Sequence, residues 1–215
     1  MAKAGVAVAR REEVVAGLPS PKAGQILLAA RKVFMRDGYG SASMDAIARE
    51  AAVSKATLYA HFSGKEALFA AVIRERCQHL TRSLSPAELE PLELAEALRR
   101  VGRHFLDLIL SPEAVAIYRV VVAEAPRFKE LGRVFYESGP MQVKRSLADY
   151  LAAAARRGLL AVPEPYLAAE QFVGMLQSHF HLMRVLGVAG RPSDAQIAQA
   201  IELAVRVLTR GYAVG

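Results

Sequence analysis

The sequence predicts an all-α protein of about ten helices: a three-helix helix-turn-helix unit followed by a larger helical body. Three observations carry this. Apolar residues recur at spacings of three and four along nearly the whole chain, the period of a helix with one buried stripe. No alternating run of β-branched residues is bounded by hairpin dipeptides, so strand signals are nearly absent. Ser-Pro, Gly and Pro punctuation falls at helix-length intervals, where caps and stops belong.

The elements follow in order. Ser20 before Pro21 is an N-cap and first-turn pair, and the first helix runs to Gly38, which suits a left-handed stop; Ile26, Ala30 and Phe34 mark its buried stripe. The loop YGSAS leads to a second helix capped by Ser43, barely two turns long, with Ile47, Ala48 and Ala51 inward. Ser54 caps a short third helix carrying Leu58 and Phe62. Ser63 and Gly64 open a longer fourth helix through Leu84. SPAELEP reads as a linker ending at Pro91, a helix follows to Leu110, and Ser111-Pro112 caps another that Pro126 ends. Ser138-Gly139-Pro140 separates two more, the second stopping at Gly158, and the last two run from about Pro165 to Gly187 and from Ser193 to Gly211. Residues 1–19 are expected to be a flexible leader, 20–66 the helix-turn-helix domain, and 67–215 the helical body.

Composition bounds the function. With 53% apolar and 23% charged residues, the 215-residue chain has ample material for a packed core. The single Cys77 excludes an internal disulfide framework, and no 18-residue apolar run suggests a membrane span. The first 20 residues carry too many charges for a secretory signal, so a cytoplasmic location is expected. Residues 1–84 hold 13 Lys and Arg against 7 Asp and Glu, a net of +6, whereas residues 85–215 are nearly balanced. Such asymmetry favours a polyanion or an anionic membrane surface, though from charge alone a solvated basic face is the first reading.

The stretch SKATLYAHFSGKEAL, from Ser54 to Leu68, makes the choice. Two short helices joined by a tight turn, after a longer one, form the helix-turn-helix pattern, which by spacing alone is only moderately specific. The chemistry adds to it. The third helix presents Lys55, Ala56 and Thr57 outward on a hydroxyl-capped N-terminus while Leu58 and Phe62 point to the core. Ala56 permits close approach to a groove, Lys55 and Thr57 can reach base edges, Tyr59 and His61 can donate to phosphate, and Lys65 starts the next helix on the same side.

These residues resemble the TetR family of bacterial transcriptional regulators. Its pattern has an apolar Ile and Ala in helix one, Gly-Tyr after it, a hydroxyl pair, Ile-Ala in helix two, then Ser, small residues, Leu-Tyr, His-Phe and Lys-Glu. Here it stands as Ile26, Ala30, Phe34, Gly38-Tyr39, Ser41-Ala42-Ser43, Ile47-Ala48, Ser54, Leu58-Tyr59, His61-Phe62 and Lys65-Glu66, densely over about residues 20–75. The resemblance implies groove contacts from Lys55, Ala56 and Thr57, and phosphate contacts from Ser43, Tyr59, His61 and Lys65. The chain departs at Ala52, where the family often has Gly; a left-handed Ala there costs roughly 1 kcal/mol.

Other chemistry is poorly supported. No Gly-rich phosphate loop, nucleophile elbow or His-Glu zinc motif is present, so no enzyme and no cofactor is expected. Cys77 and His79, like His179 and His181, stand two apart on a helix and diverge by about 200°, which does not suit a shared metal.

The helices beyond residue 84 have two uses to weigh: plain core, or walls around a cavity. The family resemblance implies a cavity for a small apolar effector among Phe105, Ile109, Tyr118 and Phe135, joined by Phe172, Met175, His179 and Met183 as one stripe on the penultimate helix. That helix is apolar on more than one side, through Leu167, Phe172, Val173, Leu176 and Phe180, and so must be buried twice. With Ile197, Ile201, Ala204, Val205 and Leu208 of the last helix it is expected to form a homodimer interface, which gives two reading helices and half-sites about one DNA turn apart. The resemblance implies a repressor that binds a palindromic operator in double-stranded DNA as a dimer and is released by the effector. The alternative is a member of the same fold that binds DNA or a protein without any effector, which a filled core would favour.

Overall fold

The structure, a computed structural model, describes residues 20–89 and 91–214, apart from the side chains of His79, Pro86 and Ala87. The flexible leader expected over residues 1–19 lies outside the described residues. Every regular element among those described is a helix.

Local chemistry sets the first three. In α1 (Pro21–Ser41) the Ser20 hydroxyl accepts the Ala23 N–H at 3.2 Å, and the helix breaks at Gly38, whose φ of 75° and ψ of 167° lie in a region essentially reserved for glycine. A Cβ at Gly38 would also collide with the Glu124 carboxylate. Ser43 caps α2 (Met44–Glu50) through the Ala46 N–H at 3.1 Å, and Ser54 caps α3 (Lys55–His61) through the Thr57 N–H at 3.0 Å. Between them Ala52 is left-handed at φ 49°; Val53 N–H donates to Ala48 O at 3.0 Å and Ala52 N–H to Arg49 O at 3.1 Å. This pair of bonds is the Schellman closure of a helix end, made with alanine where glycine is usual. Gln25 of α1 donates to the Ala51 carbonyl at 2.7 Å and ties the turn to the first helix.

The rest of the chain is α4 (Lys65–Ser83), α5 (Pro86–Leu89), α6 (Leu94–Ile109), α7 (Pro112–Glu124), α8 (Lys129–Ser138), α9 (Pro140–Arg156), α10 (Pro165–Leu186) and α11 (Asp194–Gly211). Caps fall where Ser, Pro and Gly predict them: Ser111 accepts the Ala114 N–H, Ser193 and Gln196 form a capping box, and Gly187 closes α10 at φ 72°. The stretch expected as a plain linker contains α5, a single turn whose Leu89 is fully buried and pins it to the body.

Two apolar cores result. The first joins α1–α3 to the start of α4 through Phe34, Tyr39, Phe69 and Phe128, whose rings meet at centroid distances of 5.3 to 5.7 Å, and it takes Ile117 and Val121 from α7. The packing therefore continues across residue 66 without a gap. The second gathers α6, α9, α10 and α11 around Leu98, Leu106, Leu151, Phe172 and Ile201.

The expected interface stripe on the last helix is corrected here. Ile197, Ile201, Ala204, Val205 and Leu208 are all buried in the chain's own core, as are Phe172, Val173 and Leu176 on α10. The outward apolar face is a different one: Leu167, Met175, Leu182 and Leu186 on α10 with Leu203 and Val207 on α11, between 36% and 65% exposed. Both helices are apolar on two sides, so their sequence does not say which side meets the chain's own core.

Candidate nucleic-acid interface and ligand cavity

The outer face of α3 carries Lys55, Ala56, Tyr59 and Ala60, all exposed, with His61 at its C-terminal end; Leu58 beneath them is fully buried and fixes the helix's rotation. Ala60 belongs to this face although the sequence reading passed over it; it lies four residues after Ala56, one turn on. Tyr59 is 52% exposed, so its hydroxyl stands clear of the core. Lys55 is paired with Asp45 of α2 at 2.6 Å, both side chains well exposed, a contact worth no more than about 1 kcal/mol that an incoming phosphate or base can replace. Thr57 is half-buried, and its hydroxyl shares a hydrogen bond with Ser54 at 2.8 Å, so it serves the cap before any groove. Ser43 is exposed at the N-terminus of α2, its oxygen accepting from Ala46 and its hydroxyl proton left to donate outward.

Lys65 has a role within the chain that its spacing does not show. Its ammonium donates to the carbonyls of Tyr39 at 2.8 Å, Ala42 at 3.1 Å and Gly40 at 3.3 Å, and lies 4.5 Å from the centroid of the Tyr39 ring. An ammonium has three protons, and all three are engaged. In this conformation the Lys65 ammonium spends its donors on the 38–42 segment and holds it.

The same segment is gripped from the other side. The Glu124 carboxylate, at the end of α7, accepts the Tyr39 N–H at 2.7 Å and, through its second oxygen, the Gly40 N–H. One helix of the body thus takes the segment's carbonyls and another its amides. Neither residue pair was legible from spacing, because the partners are far apart in sequence.

A cavity of about 300 Å³ lies between α4, α6, α7, α8, α9 and α10, at the lower end of the range for small-molecule sites. Phe105, Ile109, Tyr118 and Phe135 line it as expected. The four expected from α10 do not. Phe172 is fully buried in the core, Met175 and His179 are exposed, Met183 is outside the lining, and the face turned to the cavity is instead Val173, Gln177 and His181 at four-residue spacing. The stripe had the right period and the wrong phase, as an all-round apolar helix allows. His181 packs edge-on against Tyr118 at 4.7 Å, and burial pushes its pKa down, which keeps the ring neutral near pH 7. Burial likewise pushes the Cys77 thiol, also in the wall, up to about 11, so it stays protonated. Among the described residues no helix is long and apolar enough to cross a membrane.

The comparisons agree with this geometry. Residues 26–72 match the family described as bacterial regulatory proteins, tetR family, and residues 96–214 match the AefR-like transcriptional repressor, C-terminal domain. The chain is similar to the flavonoid-responsive regulator FrrA, 38% identical, with a TM-score of 0.73 over 88% of this chain and 96% of that one. It is also similar to a TetR-family regulator from Mesorhizobium loti, 29% identical, with a TM-score of 0.76 over 90% and 97%. The HTH-type transcriptional activator FasR of Mycolicibacterium smegmatis is 40% identical over 86 residues, and the HTH-type transcriptional regulator UidR of Escherichia coli K12 is 41% identical over 90 residues. These two matches cover 40% and 42% of this chain, and only 39% of FasR and 40% of UidR. Fold and site define a DNA-binding helix-turn-helix transcription regulator. The chain belongs to the TetR family of transcriptional regulators.

Proposed function

We propose that the chain is a homodimeric repressor that binds a palindromic operator through two copies of α3 and is released by a small apolar ligand. In this reading residues 20–66 read DNA and residues 67–215 bind ligand and partner. One observation carries it: the two helices that grip the 38–42 segment, α4 at Lys65 and α7 at Glu124, are also walls of the cavity, through Ile73 and Cys77 on α4 and Ile117 and Tyr118 on α7. Grip and wall are about 12 to 18 Å apart along α4 and about 9 to 11 Å apart along α7, at about 1.5 Å per residue. A rigid helix carries a shift at one end to the other. A ligand that prefers the arrangement with badly spaced reading helices lowers operator affinity by its differential affinity for the two arrangements.

The exposed α10 and α11 face supplies the partner surface, because a contiguous apolar patch of that kind is costly to leave in water. Arg119 of α7 donates to the last carbonyls of α10, Val185 at 2.8 Å and Arg184 at 2.9 Å, so the cavity wall is also fastened to the dimer helix. Ring-bearing ligands are favoured by Tyr118, Phe135 and Phe105 in the wall, and the likeness to FrrA makes flavonoid-like molecules the first class to try. The cavity speaks against the effector-independent alternative. For the sign of regulation, the match of residues 96–214 favours repression, whereas FasR is named an activator.

The test is a ligand titration read two ways on one sample. A flavonoid that raises the melting temperature should release labelled operator DNA over the same concentration range. Stabilisation with unchanged DNA affinity would remove ligand release from the reading.

A further inference from the structure

The charges in the cavity wall are one-sided. Among the described residues Arg76 and Lys144 line it, and no Asp or Glu does. Lys144 is already committed: its ammonium lies 2.6 Å from the Glu170 carboxylate and 5.5 Å from the centroid of the Tyr136 ring. Arg76 is not. One terminal nitrogen donates to Ser111 Oγ at 3.1 Å and stands 3.7 Å from Glu113 Oε2, a loose contact with a half-exposed carboxylate. Its Nε is sealed from solvent with no acceptor. A guanidinium offers five donors in a planar fork; here one terminal nitrogen is engaged with Ser111 and Glu113, while the buried Nε has no acceptor. His181 and Gln177, the other polar groups brought by α10, contribute no charge: burial holds the imidazole neutral and the amide is uncharged.

We infer that the effector is an organic acid: a ring-bearing apolar body carrying one anionic oxygen group, a carboxylate or an ionised acidic phenol, that pairs with Arg76. The inference rests on the ligand-release reading and sharpens it. An acid supplies the acceptor that Nε lacks and compensates the loosely paired Arg76 charge; charge-assisted pairs of this kind are roughly twice as strong as neutral ones. A neutral ligand can satisfy the orphaned Nε but leaves the Arg76 charge with only its loose Glu113 contact, and a cation is repelled by that charge. Arg76 also stands where α4 meets the Ser111 cap of α7, so an acid drawn to it acts on both helices that hold the 38–42 segment.

The experiment compares matched probes by titration calorimetry on the full chain: benzoate, 2-naphthoate and 4-biphenylcarboxylate, each against its primary amide. At least one acid should bind tenfold or more tighter than its amide. Arg76→Met should bring that acid down to the amide's affinity and leave the amide within about threefold, and Arg76→Lys should restore part of the gap. Glu113→Gln, a surface change that removes the competing carboxylate, should raise the acid's affinity. Amides binding as well as acids across the panel, no acid binding, a preference that survives Arg76→Met, or no rise with Glu113→Gln would each overturn the inference. Labelled operator in parallel separates the two claims. Acid binding that leaves DNA affinity unchanged keeps Arg76 as the anchor and removes ligand release, whereas release by amides as readily as by acids keeps ligand release and removes the anchor.

Discussion

Glu124 accepts the backbone N–H of Tyr39 at 2.7 Å across 85 residues of sequence, and this bond joins the body of the protein to its helix-turn-helix unit. The second oxygen takes the N–H of Gly40, so one carboxylate satisfies two amides that the break at Gly38 releases from the helix. Hydrogen bonds to a charged group contribute about 1.5–3 kcal/mol. Glu124→Ala should lower stability by about 2 kcal/mol in urea unfolding. It should also weaken the response of operator affinity to ligand, which a substitution acting on stability alone would leave intact.

Ala52→Gly should stabilise the protein. A left-handed alanine costs roughly 1–2 kcal/mol, and glycine's greater freedom in the unfolded chain offsets about 0.4–1 kcal/mol of the relief. A net gain of about 0.5–1 kcal/mol should appear as a rise in melting temperature of about 2 °C. Operator affinity should not change, because Ala52 lies in the turn and not on the outer face of α3.

Lys65 and Tyr59 should separate in a salt titration. Lys65→Met removes the cation that holds three carbonyls, so it should lower stability while leaving the slope of log affinity against log salt unchanged. A slope reduced by about one would return Lys65 to the phosphate backbone. Tyr59→Phe removes only the exposed hydroxyl and should weaken all DNA sequences equally, and Lys55→Ala should alter the preference among them.

His181 should make stability depend on pH. Its folded pKa is depressed by burial, so between that value and the ordinary histidine value of about 6.5 the unfolded chain binds more protons than the folded one. Stability should fall as pH drops below about 6.5 and level off once the folded pKa is passed. His181→Gln should flatten that part of the profile; an unchanged profile would place the depression elsewhere.

Helix positions were legible because their causes are local. Ser20, Ser43, Ser54, Ser111 and Ser193 cap the helices they precede, and Gly38, Gly158 and Gly187 take positive φ where helices stop. Even the strain at Ala52 could be anticipated, since the turn needs a left-handed residue whatever occupies it. What failed depends on rotation and on distance. The α10 stripe through Phe172, Met175, His179 and Met183 was out of phase because an all-round apolar helix does not reveal which side meets a cavity. The places of Arg76, His181 and Glu124 are not legible, because nothing in their local sequence shows what they face. Lys65 was read for its charge, and only the fold shows that three carbonyls already surround it.

The central claim, a dimer that reads DNA through paired α3 helices, is met most directly by selecting bound sequences from a random double-stranded library with the purified chain. An inverted repeat should be enriched, with half-site centres about 34–36 Å apart or a multiple of that, and Lys55→Ala should change the preferred sequence. No enrichment, or a single asymmetric site bound by a monomer, would contradict it.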